Sequence, residues 1–301
     1  PRHFYAKLFI NGTDKGVKHF EESVAREMIE SNQRRYGPTY SLDETAPDMP
    51  FELQDQKFWS QNNLPLAQRG LNVLNNFESR PQDLRDNIVV EKWAKFFAFI
   101  DTFNLYHGAL RKSVKYYLNP AYGKFEPVFV DGHIVPRWYD DFTFLDFLMD
   151  KHPECQWVCY DNERPFFEVF FGTLEQPNKP FIKLYLKYLK RYSSPEYINS
   201  FISHVDSYAY VRSELYRGFA KSDSIFHRSY IPHLLSVDKI KKRANKIHSF
   251  LLEDANHLSE TLHLDASSTP DKLANSVKLG GKIYVDQDTR FEDADILFDA
   301  D

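Results

Sequence analysis

The apolar residues of this chain repeat with two different periods, and the change from one to the other limits the fold more than any other feature. Near the start, "FYAKLFINGTDKGVKHF" alternates apolar and polar around Asn11 and Gly12. Period two puts neighbouring side chains on opposite faces of a strand, so the stretch predicts a hairpin turning between Asn11 and Gly16. A second alternating pair, "SVKYYLNPAYGKFEPVFVDG", surrounds a Pro and a Gly that supply turn dihedrals. It predicts another hairpin, ending at Asp131 and Gly132. Beyond it, "DFTFLDFLMDK", "RPFFEVFFGTL", "KPFIKLYLKYLKRYS", "PEYINSFISHVDSYAYVRSELYRGF" and "VDKIKKRANKIHSFLLEDANHL" all follow the helical period. A β-containing front with a helical second half is an α+β chain.

Between the hairpins the sequence is mixed. "EESVAREMIESNQRR" predicts a helix with Glu21 and Glu22 in its first turn, where carboxylates suit the positive helix end. Residues 37–63 follow neither period and read as an excursion or lid. Helix returns in "PLAQRGLNVLNNF" and in "DNIVVEKWAKFFAFIDTF", whose Val89, Trp93, Phe96, Phe97 and Ile100 make one apolar face. Ser193 with Pro195 and Glu196 suggests a capped helix start. The organisation expected is therefore a hairpin, helix and excursion over 1–80, a central hairpin and helical lobe over 81–260, and an acidic tail with a short β segment over 261–301.

Composition narrows the function classes. With 26 Phe and 18 Tyr in 301 residues, rings rather than aliphatic side chains should fill the core. A net charge of -5 gives no electrostatic case for nucleic acid. Lys95 and Asp101 interrupt the most apolar stretch, so no membrane span is expected. The only cysteines, Cys155 and Cys159, with His152 nearby, fall short of a disulfide framework or a four-ligand zinc site and read as buried or free thiols. No Gly-rich dinucleotide fingerprint, Walker loop, nucleophile elbow or zinc-protease helix is present, nor the Gly-rich and His-Arg-Asp loops of ordinary protein kinases.

The remaining candidates are charged residues beside buried elements. Asp131 follows an apolar strand, a position from which a carboxylate can hold a magnesium ion bridging phosphates, although an Asp-Gly turn is also common. Asp101 could accept a hydroxyl proton and His107 orient it, or His107 could simply face a helix C-terminus. Glu21 could pair with a strand lysine that grips phosphates, or only stabilise its helix. Exposed Tyr and Trp could stack on polysaccharide, but most rings sit at core spacing.

In order and spacing these segments resemble the CotH kinase family, whose founding members are bacterial spore-coat proteins. One match is an Asn-Gly strand leading to a Glu-bearing helix and an Arg-Arg-x-Gly-Pro turn, here Asn11, Gly12, Gly16, Glu21, Arg34, Arg35, Gly37 and Pro38. The other is the central stretch with Asp101, His107, Arg111, Tyr116, Tyr117, Asn119, Pro120, Gly123, Pro127 and Asp131. The resemblance implies an atypical, two-lobed kinase fold that uses ATP with Mg2+ or Mn2+ to phosphorylate Ser or Thr of coat or secreted proteins, at the spore coat, the cell surface or outside the cell. It implies that Asp101 and His107 are catalytic, that Glu21, Arg111 and Lys112 serve the nucleotide, and that Asp131 and Ser113 serve the metal. Many relatives carry His-Asn where this chain has Lys112 and Ser113, and serine is a poorer cation ligand. The strand lysine of the family lies upstream, and Lys7 and Lys18 stand near this beginning. Those departures open a second expectation, a pseudokinase acting as a binding or assembly module.

Overall fold

The computed structural model describes residues 3–43, 49–130, 132, 143–144, 163–173, 175–206 and 237–253. It is a mixed α+β chain, with antiparallel sheet toward the N-terminal side and helices toward the C-terminal side. Strands β1 (His3–Ile10) and β2 (Thr13–Glu21) form a two-stranded ribbon whose turn, Asn11 and Gly12, sits at φ 49 and 76. Asn and Gly tolerate that left-handed region best, which is why the turn falls on these two residues.

A four-stranded antiparallel sheet has the order β4-β3-β5-β6, with β3 (Thr39–Leu42), β4 (Phe51–Leu53), β5 (Lys115–Asn119) and β6 (Lys124–Val128). The expected excursion is thus partly sheet. "TYSL" is buried at every position, so it lacks the alternation of a half-exposed strand and hides from a period-two reading. The central hairpin is as expected, but its second strand stops at Val128, before Asp131.

Helices α1 (Arg26–Ser31), α2 (Gln56–Asn62), α3 (Leu64–Asn75) and α4 (Pro81–Asp86) follow in chain order, with α1 packed on Tyr117 of β5 and α3 against β4, and α5 (Val90–Phe103) packs against β6. The Phe125 carbonyl on β6 accepts from Val89 N at 2.9 Å and from Trp93 Nε1 at 3.0 Å, stitching the start of α5 to the sheet edge. A 3-10 helix (Tyr106–Ala109) leads from α5 to β5. On the C-terminal side lie α6 (Arg164–Phe171), α7 (Lys179–Tyr192), α8 (Pro195–Asp206) and α9 (Val237–Glu253). Ser194, rather than Ser193, caps α8 by accepting from Tyr197 N at 3.2 Å.

One aromatic core runs from Tyr40 on β3 to Leu251 on α9, so residues on both sides of position 80 share it. Its largest sealed side chains are Trp, Tyr and Phe, as the composition implied. Helix α5 is its axle. Every residue from Trp93 to Phe103 is buried, Lys95 and Asp101 included, so the helix has no solvent stripe over its last three turns. Trp93 packs 4.6 Å from Phe170, and Phe97 packs 4.9 Å from Phe144. Each such ring contributes about 1.5–3 kcal/mol by leaving water. Among the described residues no helix is long and apolar enough to cross a membrane. Cys155, Cys159, His152 and residues 261–301 lie outside the described residues.

Candidate functional site

The connection between α5 and β5 holds most of the expected site residues, and it divides them into two groups. Asp101 is wholly buried in the last turn of α5. Its Oδ1 accepts from the Tyr106 hydroxyl, and its Oδ2 accepts from the Tyr185 hydroxyl and from Phe144 N at 3.1 Å. Arg243 of α9 donates through Nε to the Asp101 carbonyl at 2.6 Å and through Nη2 to the Tyr106 hydroxyl at 2.8 Å. Burial pushes the Asp101 carboxyl up to about 7, against the opposing pull of Arg243 and the two phenols. A group sealed and saturated in this way ties α5, the 3-10 helix, α7 and α9 together. Both of its oxygens accept hydrogen bonds from the protein, which gives Asp101 an architectural role in this structure.

His107 is different. It sits half-buried in the 3-10 helix, with Nδ1 3.3 Å from the Ser113 hydroxyl. Arg111 and Lys112 lie between them. The Arg111 guanidinium is 8% exposed, lies 5.7 Å over the Phe77 ring and meets Glu78 at 2.5 Å. Its Nε has no hydrogen-bond partner among the described residues. The backbone N–H of Arg111 donates at 2.8 Å to Glu163, the residue that opens α6. Burial raises the Glu163 carboxyl, against the pull of the Arg111 N–H, the Arg111 guanidinium and Lys112. Arg111 is therefore held by Glu78 through its guanidinium and by Glu163 through its backbone N–H, with Nε left over.

The other expected residues fall as follows. Glu21 ends β2, opposite His3 in the ribbon, because helix α1 does not begin until Arg26. The acids in "EES" belong to the strand end and its connection, and no described contact joins Glu21 to the 107–113 turn. Asp131 lies outside the described residues, but Val130 before it is buried and Gly132 after it is placed. A Cβ on Gly108 would come within 3.1 Å of Gly132 Cα, so the backbone at 132 returns to the neighbour of His107. The Phe129 ring fills the space at both glycines, which explains why neither position admits a side chain.

The Arg-Arg-x-Gly-Pro and Asn-Pro-x-x-Gly segments turn out to pack on each other. A Cβ on Gly37 would meet the Leu118 carbonyl at 2.4 Å and the Pro120 ring at 2.7 Å. Tyr117 donates to the Arg35 carbonyl at 2.6 Å, Leu118 N to the Pro38 carbonyl at 2.8 Å, and Arg34 lies 3.4 Å from the buried Glu126. These motif positions hold the sheet together.

For a divalent cation, the described donors do not suffice: no group of three or more His, Cys, Asp and Glu comes together among the described residues. A serine hydroxyl beside an imidazole is not an oxygen cage. Sequence reasoning missed Tyr106, Tyr185, Glu163 and Arg243. For Arg243 a signal existed, since Ile240, Arg243, Ala244, Ile247 and Leu251 share one buried helical face and a cation in that register needs a buried acceptor. A scan of protein-family models matches none, and no curated protein matches the chain.

Proposed function

We propose that this chain is a kinase-type domain of the CotH kind, two-lobed, that binds ATP with Mg2+ or Mn2+ and phosphorylates Ser or Thr of a protein such as a coat or secreted protein. The observation that carries the reading is the return of the chain at Gly132 to Gly108, beside His107 and its Ser113 partner. It brings the backbone next to Asp131, the metal carboxylate implied by the resemblance, to the turn that holds the other polar candidates. On this reading Asp131 and Ser113 supply the protein ligands of the cation, and Asp101 only fixes the turn. Phosphoryl transfer of this kind rests on positioning and charge stabilisation, so a rigid turn anchored by a sealed carboxylate is a suitable base for it.

A second reading, a pseudokinase serving as a binding or assembly module, is favoured by two specific observations. Both Asp101 oxygens are filled, and Arg111 is held by Glu78 and Glu163. Thermal shift with ATP and Mn2+, followed by incubation with radiolabelled ATP and a Ser-rich acceptor, separates the two. Kinase activity predicts a metal-dependent shift and label that Asp131→Ala abolishes. No shift and no label would overturn it in favour of the module.

A further inference from the structure

Helix α7 carries Lys179, Lys183, Lys187, Lys190 and Arg191 and not one acidic residue, in a chain whose net charge is -5. The apolar face of the same helix, from Phe181 to Tyr192, is locked into the core, so the cations share the outer side. A neighbouring helix extends this basic surface. On α7 itself Lys187 lies 5.5 Å from the Tyr188 ring centre, while the buried Lys95 of α5 is paired beneath it with Glu91 at 3.6 Å and adds nothing to the surface. At the other end, His248 of α9 is 3.4 Å from Ser193, which brings α9 alongside the last turn of α7. Lys241, Lys242 and Lys246 are exposed on α9.

A dense run of the opposite charge lies near the end of the sequence. Residues 286–301, "DQDTRFEDADILFDAD", hold seven carboxylates against the single Arg290. We propose that the α7–α9 basic surface is a docking site for this acidic segment of the same chain. Charge complementarity selects an acidic polypeptide. A lipid surface would want large apolar residues among the lysines, and of the large hydrophobics exposed among the described residues only Leu252 lies on either helix. A nucleic acid would meet a chain of negative net charge. The tether favours the chain's own segment: α7 is about 21 Å long at 1.5 Å per residue, and the connection from Glu253 to Asp286 is ample to return along it. Joining the two partners in one chain raises the local concentration of the acids to about the millimolar range.

The test uses the whole chain and does not depend on nucleotide binding. Lysine acetylation footprinting with mass-spectrometric readout would compare it with a variant in which Asp286, Asp288, Glu292, Asp293 and Asp295 are changed to Asn or Gln. Docking predicts that Lys187 and Lys190 become at least about threefold more reactive in the variant, and in the parent at about 0.5 M NaCl, where charges screen within roughly 4 Å. Lys57 and Lys124, exposed on α2 and β6, should not change. Zero-length carbodiimide crosslinks should join Lys187 or Lys190 to residues 286–301. Mixing isotopically labelled and unlabelled copies should show these links within one chain. Unchanged reactivity, crosslinks to other lysines, or crosslinks only between copies would overturn the proposal.

Discussion

Asp101 and the 107–113 turn are neighbours in the chain, yet they solve opposite physical problems. At Asp101 every polar atom of a buried carboxylate has been given a partner, and two phenols, an arginine and a backbone N–H converge from elements far apart in sequence. At the turn the His107 imidazole and the Ser113 hydroxyl lie 3.3 Å apart, and the Arg111 guanidinium keeps a buried Nε with no hydrogen-bond partner among the described residues. The difference teaches that an acid in a family-like position can be the fastening rather than the working part. Ligand chemistry needs spare hydrogen-bonding capacity, and the Arg111 Nε at the turn keeps some.

Breaking the fastening should give the largest effect. Asp101→Ala leaves two buried phenols and the Phe144 N–H without their acceptor and takes the facing carboxylate from Arg243, and is expected to cost about 3–5 kcal/mol, read from the denaturant midpoint. Next comes the pair of motif segments, where Gly37→Ala forces a Cβ against a backbone carbonyl. A loss of about 1–3 kcal/mol is expected, with the secondary structure retained by circular dichroism. Tyr185→Phe removes one donor from Asp101 and should cost about 1–2 kcal/mol.

The titration of Asp101 sharpens the contrast further. Its folded value, about 7, lies above its ordinary value of 3.8, so the stability it contributes is complete at acid pH and is lost as pH rises through the folded value. Denaturation of the parent and of Asp101→Asn from pH 5 to 8 should therefore show the advantage of the parent shrinking as pH rises. An advantage that grows with pH would mean that the phenols and Arg243 outweigh burial. The smallest effect belongs to the turn. His107→Ala should change stability by less than about 1 kcal/mol, since its ring is only half-buried. The same substitution should diminish any nucleotide-dependent thermal shift, which a purely structural histidine would leave intact.

What could be read from the sequence follows from how local each signal is. The Asn11–Gly12 turn, the Asn119–Gly123 hairpin and the helical character of α5, α7 and α9 are written in short-range periodicity and turn chemistry. Strand β3 was hidden because full burial removes alternation, and α1 began later than its acids suggested because Glu21 completes a strand register with His3. Whether a carboxylate works or fastens depends on contacts such as Tyr185 and Arg243, distant in sequence by 84 and 142 positions, and no local pattern reports those. The aromatic excess pointed correctly to the core, whereas the buried register of Arg243 was the legible clue to a hidden acceptor.

The most direct test of the division between working turn and fastening is a crystal structure with a non-hydrolysable ATP analogue and Mn2+, phased to locate the ion by its anomalous signal. The account predicts manganese bound by the Asp131 carboxylate beside Ser113 and His107, with Asp101 still closed by Tyr106 and Tyr185. An ion bound at an opened Asp101, or no ion and no nucleotide at the turn, would contradict it.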